Sequence, residues 1–280
     1  MLIDLHTHSR RSDGTDSPTE LVENAARAGL DVVALTDHDA MTGWEEAQRA
    51  ADRVGITLVK GLEISCRYRH KGVHLLGYEP DPTDPSLLAE LERVLRGRQD
   101  RLPRTIAKLN DLGIAITEAD VLAVSGDAAA TGRPHVADAL IVRGVVASRD
   151  EAFERYLMPG RPAYVDRYAA DLEEMIRLLV DAGGRPVIAH PWTRQSRSVL
   201  TEEVIAGLAE LGLVGLEVDH NDHDADSRAA LRTIAHDLDL AVTGSSDYHG
   251  TGKVGYDLGV NTTAPDQAVR LLGERLDLLR

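Results

Sequence analysis

Short apolar runs recur along the chain, each followed by a polar loop and then by a stretch with apolar residues three and four positions apart. The runs are LIDLH (2–6), VVALT (32–36), TLVKG (57–61), VHLLG (73–77), VIAH (187–190), VGLEV (214–218) and AVTG (241–244). Helical spacing fills about 18–29, 42–54, 171–182, 201–211, 224–238 and 265–273. This alternation predicts parallel βα units, the grammar of an α/β barrel. In the first helix Ser17 is placed to cap, Pro18 opens the first turn and Gly29 closes the element.

The rhythm breaks between about 80 and 165. After the turn-rich EPDPTDP come helical patterns without a convincing strand. Leu91, Leu95, Leu102, Ile106 and Leu109 fall near one helical face, and Pro103 predicts a kink or restart there. The chain therefore divides into a barrel domain, 1–80 and 166–280, and a helical insertion, 81–165.

Composition narrows the function classes. Of 280 residues 43% are hydrophobic, enough for a sizeable core without cross-links. No apolar run reaches membrane-spanning length, and no secretory signal pattern opens the chain. Cys66 is the one cysteine, which excludes an intrachain disulfide and fits a reducing, cytoplasmic setting. A net charge of −15 has the wrong sign for coating a nucleic-acid backbone, and 4% aromatics is too few for a long base-stacking platform. An acidic protein still binds phosphates where metal ions sit among its acids. The oligomeric state is not legible.

The chemistry gathers at the predicted strand ends. His6 and His8 close the first strand, and the period of two puts both imidazoles on one side. LTDHD brings His38 as a donor, with Asp37 and Asp39 as candidate caps for the helix near 42–54 and Asp39 the better placed. GLEIS brings Glu63, VHLLGY brings His74, VIAHP ends in His190, GSSDYHG supplies Asp247 and His249, and the first loop adds Asp13. Imidazole and carboxylate without thiolate suit Mn²⁺, Zn²⁺ or Fe²⁺ and argue against a structural zinc cage. Nine such side chains exceed what one ion holds, so two or three divalent ions are expected.

In order and across almost the whole chain, DLHTHSRRSDGTDSP, ALTDHDAMTG, GLEIS, VHLLGY, VIAHP and GSSDYH resemble the motifs of the polymerase and histidinol phosphatase (PHP) family. The resemblance implies a distorted (β/α)7 barrel with a trinuclear site. One ion would take His6, His8, Glu63 and Asp247. Glu63 would bridge to a second ion held also by His74 and His190, and a third would take Asp13, His38 and His249. Many relatives carry histidine where Asp13 stands. Within the insertion, TGRPHVADAL (131–140) resembles a branch that includes 3′,5′-nucleoside bisphosphate phosphatases and 5′→3′ oligoribonucleases.

Residues and resemblance together suggest a metal-dependent phosphoesterase acting on small nucleotides, with Mn²⁺ preferred. A hydroxide shared between two ions would attack, with Glu63, Asp247 and His190 as the catalytic group and no serine triad. Arg133 and His135 would grip a substrate phosphate, unless Thr131 merely caps a helix and Arg133 pairs with an acid. Arg101, Arg104 and Lys108 share a helical face, either as a solvated surface or as a second phosphate site. Tyr248 and Trp192 would stack on a base or pack the rim, while His220 and His223 offer second-tier contacts. Short 5′-phosphorylated RNA, histidinol phosphate and a non-catalytic nucleotide-binding role are the alternatives. GTGKVG (250–255) fits the dinucleotide fingerprint, but the succeeding YDLGVNTT has strand and turn character rather than helical.

Overall fold

A computed structural model describes residues 1–193 and 196–273. Seven strands form a nearly closed barrel in the order β1 (Ile3–Asp4), β2 (Val32–Leu35), β3 (Thr57–Tyr68), β4 (Lys71–Tyr78), β6 (Arg185–Ala189), β7 (Gly215–Asp219) and β8 (Ala241–Gly244). A two-residue β5 (Ala170–Asp171) pairs with the far end of β3. Between β8 and β1 the seam is drawn together by single bonds. His8 N–H donates to the Tyr248 carbonyl at 2.8 Å and Thr263 N–H to the Ile3 carbonyl at 2.9 Å.

Helices α1 (Pro18–Arg27), α2 (Trp44–Val54), α7 (Leu172–Asp181), α8 (Glu202–Glu210), α9 (Ala225–Asp237) and α10 (Pro265–Leu272) come after strands, as the apolar spacing predicts. The remaining helices come as one block between β4 and β5. They are α3 (Pro85–Asp111), α4 (Glu118–Ser125), α5 (Arg133–Val142) and α6 (Arg149–Ala152), continued by a π-helical turn over Phe153–Leu157. Ser17 caps α1 in a full capping box with Glu20.

Two expectations need correction. Not all pairings are parallel: β4 runs antiparallel to both β3 and β6. β3 continues to Tyr68 and turns back directly, so Glu63 lies within its strand rather than just past the carboxyl end, while His74 lies on β4 as expected. Apolar alternation is the same in both directions, so it carries no sign of the reversal. Nor does Pro103 break its helix; α3 runs on from Pro85 to Asp111. The hydrogen bond that proline forgoes is offset by burial of Leu91, Val94, Leu102, Ile106 and Leu109 along one side.

Three apolar clusters hold the molecule. One lies between the barrel and its outer helices. A second fills the lower barrel with Ile3, Leu5, Val59, Leu76, Tyr78 and Val187, among others, and α10 packs Leu271 and Leu272 against it. A third belongs to the helical block, where Leu102, Ile106 and Leu109 of α3 meet Val136 and Leu140 of α5. Along β3 the same face of the strand carries Val59 and then Glu63, and along β4 it carries Tyr78, Leu76 and then His74. The barrel interior thus turns from apolar to acid and imidazole toward one mouth. No described helix is long and apolar enough to cross a membrane.

Candidate metal centre

The mouth is lined by the nine side chains that the sequence singles out, and they converge. His6 and His8, both fully buried, bring their Nε2 atoms to 3.0 Å. Thr7 between them points away and donates to the Ala34 carbonyl at 2.6 Å. His6 Nε2 lies 3.4 Å from Glu63 Oε2 and 3.5 Å from Asp247 Oδ1; His8 Nε2 is 3.3 Å from each of the same two oxygens. The other oxygen of Glu63 faces His74 Nδ1 at 2.6 Å and His190 Nε2 at 3.0 Å. Asp13 meets His249 Nε2 at 3.4 Å and His38 Nε2 at 3.6 Å. His38 reaches both ways, because its Nδ1 lies 2.9 Å from Glu63 Oε2.

Three donor sets result, each with ligand atoms within 4.8 Å of one another: His6, His8 and Asp247; His38, Glu63 and His74; and His8, Asp13, His38 and His249. The chemistry of these donors fits divalent ions. His8 Nδ1 is buried without a hydrogen-bond partner among the described residues. Burial, reinforced by His249 and His38, pushes His8 down to about 3, so it is a neutral lone-pair donor. Burial opposes ionisation of Glu63, Asp13 and Asp247, yet the surrounding cationic groups hold all three carboxyls well below the usual range. Imidazoles among three carboxylates, with no thiolate, suit Mn²⁺, Fe²⁺ or Zn²⁺.

Local folding explains the aim of these groups. His190 and Asp247 carry positive φ values of 27° and 52°, strained for side-chain-bearing residues and frequent at functional sites. Gly14, next to Asp13, is required by close packing: a Cβ there would sit 2.3 Å from the His8 carbonyl oxygen.

Behind the donors stands a second layer, of which His220 is expected from the sequence and Glu217 and Lys253 are not. Glu217, fully buried on β7, takes His6 Nδ1 at 2.9 Å on one oxygen and the His190 N–H at 2.7 Å on the other. This fixes the His6 tautomer and leaves its Nε2 for an ion. The one signal in the sequence was an acid inside the apolar run VGLEV. His220 Nδ1 accepts from Asp222 N–H at 3.1 Å while its Nε2 faces Asp247 at 3.3 Å, so it orients that carboxylate. Lys253 Nζ lies 2.5 Å from the same carboxylate.

Several expected contacts take other roles. Asp39 does not cap α2, whose N-cap is Gly43; it accepts from Ser65 N–H at 2.6 Å and Arg98 Nε at 2.7 Å. His135 Nδ1 accepts the Gly132 N–H at 2.8 Å, so that nitrogen caps α5 rather than gripping substrate, and Gly132 rather than Thr131 is the N-cap. His223 is buried with both nitrogens on backbone carbonyls, those of Val218 and Pro191. Tyr248 donates to Asp16 at 2.7 Å and Trp192 to the Leu200 carbonyl at 2.8 Å; both pack at the core edge. Arg104 and Lys108 are exposed, whereas Arg101 is buried, so the three do not act as one face. The GTGKVG stretch opens no helix.

Arg101 and Arg133 do reach the mouth, joined by Arg98 and by Arg167, which sequence reasoning missed. The four line a lobe that shares Asp13, His38, Pro134 and Phe153 with the lobe over the metal donors.

A barrel with clustered imidazoles and carboxylates at its mouth defines a metal-dependent hydrolase, and comparison with known proteins agrees. Residues 4–109 match the model of the PHP domain. A 3′,5′-nucleoside bisphosphate phosphatase from Chromobacterium violaceum is 36% identical over 94% of this chain and 92% of its own length. A 5′-3′ exoribonuclease from Haemophilus influenzae is 37% identical over 88% and 89%. Among solved structures, a metal-dependent phosphoesterase from Bifidobacterium adolescentis superposes with a TM-score of 0.91 at 36% identity, covering 96% of this chain and 95% of its own. An amidohydrolase from C. violaceum, solved with bound sulfate and no metal, gives 0.89 at 34% identity over 100% and 97%. The chain belongs to the PHP family. It is a metal-dependent phosphoesterase.

Proposed function

We propose that the protein removes the 3′-phosphate of small nucleotides such as 3′,5′-nucleoside bisphosphates. The observation that carries this reading is the adjacency, in one cleft, of the metal donors and a lobe lined by four arginines. Of the four guanidiniums, Arg98 is answered by Asp39 at 2.7 Å. Arg101 is 6% exposed, and burial together with Arg167, Arg98 and Arg133 pushes it down from the ordinary arginine value. A guanidinium surrenders its proton only at very high pH, so a bound anion is what relieves the repulsion. The planar forks suit a phosphate. The name of the C. violaceum relative and the sulfate in its neighbouring structure are in keeping with this reading.

Bound divalent ions, Mn²⁺ before Fe²⁺ or Zn²⁺, would act as Lewis acids on a phosphoryl oxygen and make water acidic enough to attack at neutral pH. The side chains do the rest. The arginine lobe holds the 5′-phosphate, and that anchor turns the 3′-phosphate toward the donors. Glu63, its two oxygens facing different histidines, would be the ligand shared between ions. Asp247 and His190 complete the donor sets on either side of it, both held by the layer behind them. Barrel segments 1–80 and 166–280 supply the donors, and the insertion, 81–165, supplies Arg98, Arg101 and Arg133. The single cysteine, Cys66, is in keeping with a reducing, cytoplasmic setting.

The Mn²⁺-loaded protein should release orthophosphate from a 3′,5′-bisphosphorylated nucleoside with higher kcat/KM than it releases mononucleotides from short 5′-phosphorylated RNA. Faster trimming of RNA would assign the exonuclease activity to the same cleft. No turnover of either would overturn both readings.

A further inference from the structure

Asp13 sits on the loop between β1 and α1, and that loop is gripped from two sides. On the barrel side Asp37 accepts from Ser9 N–H at 2.8 Å, Ser9 Oγ at 2.6 Å and Ser12 Oγ at 2.7 Å. On the other side stands the helical insertion. Arg149, the first residue of α6, has a side chain only 13% exposed. Its Nε and Nη2 donate to the two oxygens of Asp138 on α5, at 2.7 and 2.6 Å. Its Nη1 donates to the backbone carbonyl of Asp13 at 3.1 Å. The same guanidinium lies against the loop just after His249: a Cβ on Gly252 would come 2.4 Å from Nη1. Three further ties join loop and insertion, from Ala129 N–H to the Arg11 carbonyl at 2.9 Å, from Arg11 Nη1 to Asp127 at 3.0 Å and from Arg10 Nε to Asp127 at 3.3 Å.

A bidentate arginine–carboxylate pair fixes the plane of the guanidinium, and here the fixed plane leaves one N–H aimed at the backbone of a proposed ligand. We propose that Arg149, held by Asp138, is a positioning residue that sets Asp13 against His38 and His249, so that the insertion governs occupancy of that one donor set. The inference rests on the metal reading of the mouth. Lysine has the charge but not the fork, so Arg149→Lys separates geometry from electrostatics. Asp138→Asn loosens the same fork from its other end.

The test is a calorimetric Mn²⁺ titration of chelator-stripped, full-length protein, with the melting temperature of the metal-free form measured alongside. Asp13→Ala identifies the class of sites that depends on Asp13. In Arg149→Lys and Asp138→Asn that class should weaken by roughly 10- to 100-fold, the size usual for partners one step behind a ligand. The other classes should stay within about twofold and the metal-free melting temperature should hold. Wild-type binding in both variants would overturn the inference while leaving the metal centre in place. A uniform loss across all classes, with a falling melting temperature, would also overturn it. A wild-type protein that takes up no Mn²⁺ would remove the metal reading itself and this inference with it.

Discussion

Replacing Arg101 by methionine separates what the arginine lobe does for substrate from what it does for the fold. The side chain is 6% exposed, keeps company with Arg98, Arg133 and Arg167, and has no carboxylate partner among the described residues. Methionine has similar length and no charge. Truncating one partner of a buried, hydrogen-bonded charge pair costs about 2–5 kcal/mol. Three guanidiniums remain to share the anion, so the lower part of that range applies. About 2–3 kcal/mol corresponds to a roughly 30- to 150-fold loss of kcat/KM on a 3′,5′-bisphosphate. A minimal aryl phosphate, which has nothing to place in the lobe, should lose less than about threefold. Stability should move the other way, because one of four crowded like charges is gone. A gain of about 1 kcal/mol or more would raise Tm by roughly 2–4 °C. The assays are steady-state phosphate release on both substrates and thermal melting. Equal losses on the two substrates would refute the reasoning, as would a falling Tm with unchanged bisphosphate kinetics.

Glu63→Gln takes the negative charge from the carboxylate that five histidines surround, and turnover should fall by at least about 100-fold; near-normal kcat in a metal-replete sample would count against the shared-ligand role. Glu217→Gln forces an amide N–H toward groups that now donate to both carboxylate oxygens, so metal affinity should drop roughly 10- to 100-fold, read by competition with a chelator. Asp120 offers a pH test away from the mouth. Arg143 first, at 2.7 Å, and then Thr117 hold its carboxyl down to about 2. A depressed pKa stabilises the fold fully above the ordinary value of 3.8 and loses that effect as the pH falls toward 2. Asp120→Asn should therefore lower Tm at pH 7, with the gap closing in acid; a constant gap would contradict the assignment.

The donors were legible because each is an imidazole or carboxylate set in an otherwise apolar or glycine-bearing context within or just after a short run. Such residues are costly to bury without a partner, so their recurrence in HTH, TDHD and SDYHG points to a common ion. Strand direction was not legible. The turn between β3 and β4 is built on Arg69 at φ 53°, without the glycine or asparagine that usually announces a hairpin. Partners fixed by tertiary packing were hidden for a related reason. Asp39 has the local signature of a cap, and only the approach of α3 makes it the counter-charge of Arg98. Arg167 lies far in sequence from the basic run of α3, and nothing local distinguishes it from a surface arginine. The same holds for Arg149 and Asp138, which sit on two different helices, α6 and α5, and meet only through the turn between them.

Crystals grown with Mn²⁺ and measured at wavelengths on either side of its absorption edge would locate the ions themselves. Two or three anomalous peaks are expected at the mouth, one between His6, His8 and Asp247, one beside Glu63 with His74 and His190, and one among Asp13, His38 and His249. A map from fully active protein with no peak within bonding distance of those side chains would contradict the account.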